Sequence, residues 1–293
     1  MAPAPDYSNL EDYNLNLYNR WIENLVKLKL PETDLKLSDN LVGVLSAYPE
    51  AILIGSFLWT EIQKLRVPEE WKKIMDFEEE LLQDIKPTML GLSMMVMPNV
   101  KSKTNFIGFP WLCEREYLLQ DNHFKKGEYI NVLVTGGGNL CINNLIIELL
   151  NALYAEKDIQ LFADREIFQY CDNGFSRVKL FPFNNQSFDN LDWIIGRPGT
   201  GILTDAIRYK KPVLMLTESD NEEMNHNKFV FESNSLGFDL NRYYKQGRID
   251  KTNLLALIHD QEAYNKYKSF NEKQEIGGYK GIVSFVLDKL YKQ

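Results

Sequence analysis

The chain has 293 residues, 44% hydrophobic and 25% charged, with a net charge of −8. That composition fits a globular protein of about two domains. It argues against a general nucleic-acid binder, which would show a basic face. It leaves open a local basic patch at a membrane surface. No apolar run approaches the roughly 18 residues of a membrane helix, and no charged-then-apolar signal segment opens the chain. Cys113, Cys141 and Cys171 are far apart with no CxxC spacing, as expected of reduced thiols in a cytoplasm-like compartment.

The first 16 residues are polar and contain proline, and read as an irregular lead-in. A short strand is expected at 34–38, then a short helix and turn, then a firmer strand "AILIGSF" at 51–57. From Pro68 to Ile85 apolar residues recur every three or four positions, and proline suits a first helical turn. "TMLGLSMMVM" and "NFIGF" predict two more strands. A connecting segment follows, and the domain boundary falls within 115–128.

Beyond it a regular rhythm starts. "YINVLVT" at 129–135 predicts a buried strand, followed by "GGGN" and a helix to about Ala155. "IQLFAD", "VKLFPF", "DWIIG" and "PVLMLT" predict strands, and "REIFQYCD" and "TGILTDAIRYK" predict helices. Helices at about 251–269 and 279–292 close the chain. Strand–helix alternation of this kind implies an α/β protein with parallel sheets covered on both faces. The expected domains are 1–120, an incomplete lobe of about four strands, and 121–293, a complete one.

Two glycine turns follow strands in the second lobe: Gly136-Gly137-Gly138-Asn139 and Gly199-Thr200-Gly201. Glycine permits positive φ and close backbone approach to an anion. A helix N-terminus behind each turn adds unpaired N–H donors. The pair suits a diphosphate, with plain tight turns as the alternative. Neither turn matches a Walker or GxGxxG signature. Three histidines without HxH or HExxH spacing predict no metal site.

"NVLVTGGGN", "VKLFPF", "DWIIGRPGTGILTDAIRYKKPVLML" and "EEMNHNKFVFESNSLGF", in that order, resemble the donor-binding half of GT-B glycosyltransferases. The likeness is nearest to MurG and its relatives and covers about 129–240. Its motif is an Arg-x-Gly turn, an acidic residue eight positions after the arginine, and a lysine-proline lead into the next strand. Here these are Arg197, Gly199, Asp205 and "KKP" at 210–212.

The resemblance implies two Rossmann-like lobes, the N-terminal one shortened here, and a UDP-sugar substrate with no further cofactor. It implies that Gly199, Thr200 and Gly201 hold the donor phosphates and Asp205 the ribose. The family commonly has glutamate in place of Asp205. Phe183 would lie along the uracil. Glu223 and Asn227 would contact the sugar, and the family often has glutamine near Glu223. Gly137 and Asn139 would border the cleft and face the sugar or its phosphate. Arg197 would help to stabilise the leaving diphosphate.

The implied reaction is metal-independent inverting transfer of a hexosyl or N-acetylhexosaminyl group to a cell-surface glycan or lipid-linked acceptor. The expected place is the cytoplasm, with peripheral association at the inner face of the membrane as an option. Inverting transfer needs a base. The family's glycine-rich, histidine-bearing first turn has no counterpart here. Asp39 is the first-lobe carboxylate at a strand end and the candidate base, with helix capping as its alternative. The shortened lobe implies roughly 100 further residues in front, a partner chain, or a degenerate form. UDP-sugar hydrolysis of the nonulosonic acid type and non-catalytic nucleotide-sugar binding are the alternative functions.

Overall fold

A computed structural model describes residues 4–7, 13–28, 30, 35–62, 69–114, 129–136, 144–171, 174–217 and 221–291. The chain divides into two compact units, Met1–Leu112 with Gly277–Gln293, and Cys113–Ile276.

The first described helix of the first unit begins at the end of the irregular lead-in, in a stretch for which sequence reading offers no expectation. Helix α1 (Leu15–Lys27) starts at Asn14, whose side chain accepts from the Asn16 and Leu17 N–H groups. Such a cap satisfies donors that have no partner within the helix. Strands β1 (Leu37–Asp39) and β2 (Ile52–Ile54) flank a 3-10 turn at Val42–Ser46. Helices α2 (Trp59–Ile62) and α3 (Glu69–Ile85) lead to β3 (Thr88–Leu92), α4 (Pro98–Lys103) and β4 (Asn105–Phe109). The four strands are parallel, in the order β1-β2-β3-β4. Their order does not reverse, so these strands form no crevice of the kind made at a topological switch point. One apolar cluster joins the sheet residues Leu53 and Met89 to Val42, Leu45, Leu82 and Val100.

The tyrosines before and within α1 fill a second cluster with Trp21, Trp71 and Ile74. The Tyr7 ring stacks on Trp59 at 5.3 Å, and Trp71 Nε1 donates to the Tyr13 carbonyl at 2.7 Å. At the centre lies Glu78 of α3, fully buried. Its Oε1 accepts from the Tyr7 hydroxyl at 2.5 Å and the Tyr18 hydroxyl at 2.9 Å. Tyr7 and Tyr13 of the lead-in are thus core residues, and the Tyr7 hydroxyl finds an acceptor in the interior.

The second unit runs β5 (Ile130–Thr135), α5 (Asn144–Tyr154), β6 (Ile159–Ala163), α6 (Arg165–Cys171), β7 (Lys179–Leu180) and α7 (Asn185–Asp189). It continues with β8 (Trp193–Gly196), α8 (Thr200–Tyr209), β9 (Val213–Met215), α9 (Glu222–Ser233) and β10 (Gly237–Asp239). Strands β11 (Tyr244–Lys245) and β12 (Arg248–Ile249) form a small hairpin before α10 (Lys251–Ile258) and α11 (Gln261–Glu272). Six parallel strands lie in the order β10-β9-β8-β5-β6-β7. The order reverses between β5 and β8, the doubly wound arrangement. Val132, Val134, Leu161, Trp193 and Ile195 are buried in one core with α5.

The division differs from the expected 1–120 and 121–293 at the C-terminus. Helix α12 (Gly278–Tyr291) belongs to the first unit, not the second. Two glycines explain it. The Gly278 N–H donates to the Trp111 carbonyl at 3.0 Å, and a Cβ at Gly278 would overlap the Pro110 carbonyl oxygen. A Cβ at Gly281 would lie 2.7 Å from the Phe109 ring. Without side chains, α12 can close on the end of β4.

Burial pushes the Glu78 carboxyl up to about 7, against the pull of its tyrosine hydrogen bonds and the Gly43 N–H. The folded protein therefore holds this proton more tightly than the unfolded chain. Stability from this group is full below about pH 4.5 and is lost as pH rises through about 7. The difference corresponds to about 3 kcal/mol. Urea denaturation is expected to show wild-type stability falling between pH 5 and pH 8, and Glu78→Gln flattening that fall. An unchanged slope in the variant would refute the assignment.

Candidate functional site

The site is built where the strand order of the second unit reverses. Thr135 of β5 pairs with Gly196 of β8. A Cβ at Gly196 would overlap the Thr135 carbonyl oxygen, so the two strand ends can meet only with glycine there. The Asp164 carboxylate, just past β6, accepts from Thr135 Oγ1 at 2.9 Å and from the Gly136 N–H at 2.6 Å. Its other oxygen accepts from the Ile167 N–H at 2.9 Å, at the start of α6. Asp164 therefore fixes the exit of β5. Its oxygens are engaged by the protein's own donors, which distinguishes it from a ribose-binding acid after a second strand. Gly137 and Asn139 lie outside the described residues.

From β8 the chain turns through Arg197, Pro198 and Gly199 into α8. The Gly199 N–H donates to the Arg197 carbonyl at 2.8 Å, and the Leu203 N–H to the Gly199 carbonyl at 3.1 Å. Gly199 caps the helix at φ −70°, a conformation open to any residue. The positive φ that glycine permits is not used at Gly199. Among the described residues, a Cβ on Gly199 or Gly201 would meet nothing within 4 Å. The backbone of this helix N-terminus can be approached closely, and its first N–H groups lack helical acceptors.

Helix α9 closes on that turn. Sequence reading allows "EEMNHN" to be a solvated loop, but these residues form the first turns of α9, capped by Asn221 Oδ1 on the Met224 N–H at 3.0 Å. Asn227 is 2% exposed and its Nδ2 donates to the Pro198 carbonyl at 2.9 Å. Burial pushes the Glu223 carboxyl above its ordinary value, while the Arg197 guanidinium and a hydrogen bond with Asn227 pull it back. Arg197, Gly199, Glu223 and Asn227 are thus brought together at the carboxyl ends of the strands. His226 sits half-buried on the same helix.

Asp205 lies in the second turn of α8, half-buried. Desolvation raises its carboxyl and Arg208 opposes the rise. One turn further, Tyr209 stacks on Phe188 with ring centroids 4.5 Å apart and planes within 1°. Phe188 and Phe181 both meet Phe183 edge-on, at 6.0 and 4.9 Å. Positions 205 and 209 share a helix face. Phe183 is 46% exposed and held at φ +50°, a conformation rare for an aromatic residue. An exposed ring in a strained backbone is a common feature of binding sites.

Sequence reading missed a second layer. Lys228 Nζ donates to Thr217 Oγ1 at 2.9 Å and pairs with Asp239 at 3.1 Å. Asn241 clasps Thr217 in both directions, accepting from its N–H at 3.1 Å and donating to its carbonyl at 2.7 Å. These contacts anchor the exit of β9 to α9. Asp164 could have been noticed as an acid directly after a strand; Lys228 and Asn241 carry no local signal.

In the first unit Asp39 ends β1, exposed. The 3-10 turn after it has Leu41 at its N-cap with no side-chain bond, so Asp39 does not cap it. No group of three or more potential metal ligands occurs among the described residues, and none of their helices is long and apolar enough to cross a membrane.

No protein-family profile and no curated protein sequence matches the chain. Solved structures do match its fold. Arabidopsis thaliana UGT89C1, solved with UDP-L-rhamnose, has a TM-score of 0.61 at 11% identity, over 93% of this chain and 75% of that one. The glycosyltransferase VinC, solved with dTDP, has a TM-score of 0.55 at 15% identity, over 93% and 76%. A UDP-N-acetylglucosamine 2-epimerase has a TM-score of 0.51 at 14% identity, over 92% and 74%. The chain has the α/β fold of GT-B glycosyltransferases.

The glycines of the site are expected to respond differently to a methyl group. Gly196→Ala should lose about 1–3 kcal/mol in urea denaturation, as overpacking does. Gly201→Ala should leave stability unchanged or raise it by up to about 1 kcal/mol. Equal losses at both positions would contradict the geometry.

Proposed function

We propose that the chain is a nucleotide-sugar-dependent glycosyltransferase whose second unit binds the donor. One observation carries this reading. The open N-terminus of α8 converges with Arg197, Glu223 and Asn227 at the carboxyl ends of the strands, beside the reversal of strand order. A diphosphate is the group that such a turn suits.

In this reading Gly199, Thr200 and Gly201 offer backbone N–H groups to the diphosphate, and Arg197 adds a cation as negative charge develops on the leaving group. Asp205 accepts from the ribose hydroxyls. Phe183 stacks on the base, a contact indifferent to uracil or thymine. Glu223 and Asn227 face the sugar, a hexosyl or N-acetylhexosaminyl group. UGT89C1 was solved with a UDP-sugar and VinC with dTDP, so the donor nucleotide is UDP, with dTDP as the close competitor. No bound metal is required, since N–H donors and Arg197 take the charge. The acceptor is a cell-surface glycan or a lipid-linked sugar at the inner face of the membrane. Asp39 is the candidate base for an inverting attack. The finer likeness to MurG rests on the sequence motif alone.

Calorimetry with UDP and with dTDP tests the donor site. Saturable binding of one of them is expected, weakened tenfold or more by Asp205→Ala, about 1.4 kcal/mol. A folded protein that binds neither nucleotide would sink the reading. Because the fold also serves an epimerase, turnover needs its own assay. UDP release that depends on an added acceptor supports transfer, and release in water alone supports hydrolysis.

A further inference from the structure

Helix α12 is apolar on two faces. One face carries Gly278 and Gly281, which close on Pro110 and Phe109. The opposite face carries Val283, Leu287, Leu290 and Tyr291, exposed by 52%, 42%, 42% and 84%. Their spacing, i, i+4, i+7 and i+8, makes one continuous stripe. Ile282 and Val286 lie half-buried along its edge. Single exposed apolar residues are ordinary, but a contiguous stripe marks a surface that meets something else.

Charge identifies what it meets. Residues 277–293 carry Lys280, Lys289 and Lys292 against the single acid Asp288, in a chain whose net charge is −8. Lys280 precedes Val283 by one turn and shares its face. Its ammonium lies 5.7 Å from the Tyr279 ring centroid, and that of Lys289 lies 5.7 Å from the Phe285 ring. Such a lysine lays its stem along apolar surface and keeps its charged head at the water boundary. Two copies of this helix would meet with like net charge, whereas an anionic lipid surface complements it. At 14 residues α12 is shorter than the roughly 20 of a spanning helix. It suits a helix that lies in the plane of the membrane interface, apolar face down.

We propose that α12 docks the first unit on an anionic lipid surface. Val283, Leu287, Leu290 and Tyr291 enter the boundary of the acyl chains, and the lysines meet lipid phosphates. The Tyr291 phenol suits the headgroup level, where rings with a polar tip collect. The acidic remainder of the chain is repelled by the same lipids, which turns the molecule helix-first toward them. Attraction between lysines and headgroups is screened by salt. This surface does not rest on what the second unit binds.

Co-sedimentation of the full chain with vesicles tests this, using phosphatidylcholine alone and phosphatidylcholine mixed with phosphatidylglycerol. Binding should be tenfold or more stronger to the mixed vesicles, and should fall in high salt. Val283→Ser with Leu290→Ser should weaken it tenfold or more, and so should Lys280→Glu with Lys289→Glu. All four side chains are exposed, so the denaturation midpoints should hold. Leu287→Trp places a reporter in the stripe. Its added emission should move to shorter wavelength with the mixed vesicles, a readout that needs neither double variant. No binding to the mixed vesicles, equal binding to both kinds, or binding that ignores both double variants overturns the proposal. So does a dimer in sedimentation velocity that the serine variant abolishes, since a second copy then covers the stripe. UDP calorimetry on the same samples separates this surface from the transferase reading. UDP binding without vesicle binding defeats the surface alone, and vesicle binding without UDP binding defeats the donor site alone.

Discussion

The carbonyl of Thr135 leaves no room for a side chain at residue 196. That single steric constraint lets β5 and β8 run side by side to their ends, at the one place where chain order reverses in the six-stranded sheet. The following turns diverge from a common point, Gly136 on one side and Arg197 on the other. Everything nearby secures those two exits. Asp164 holds the first through Thr135 and Gly136, and Asn227 holds the second through the Pro198 carbonyl. Among the described residues, nothing lies within 4 Å of where a side chain on Gly199 or Gly201 would begin, so they leave the α8 N-terminus uncovered.

Much of the second unit was legible in the sequence. Parallel strands buried on both faces appear as continuous apolar runs, and "INVLVT" and "WIIG" form strands where expected. The resemblance also named the residues that meet around Arg197. Helix α9 was harder to read because its buried face includes Asn227 as well as Met224, Val230 and Phe231. An asparagine marks a buried face only when its acceptor is known, and that acceptor lies 29 positions away. Helix α1 hid for a similar reason. Its Tyr18 donates to a carboxylate 60 positions on, a contact that no local period reveals.

The two units handle buried polarity differently. Around the second unit's site, Asp164, Asn227 and Lys228 all have named partners, so the polar layer makes the scaffold rigid. The first unit keeps Glu78 as a carboxyl whose preferred state is neutral, and Asn40 as an amide without a protein partner. Both are expensive for folding alone. For Glu78, Oε1 is met by two tyrosine hydroxyls.

The return of α12 to the first unit also bears on how the protein comes into being. A ribosome delivers the chain from its N-terminus, and domains commonly fold as they emerge. Here every residue of the second unit, Cys113–Ile276, is synthesised before α12, which belongs to the first. The first-made unit waits longest, with the ends of β4 uncovered until Gly278 and Gly281 arrive. The first unit is thus completed only after the whole of the second has been made.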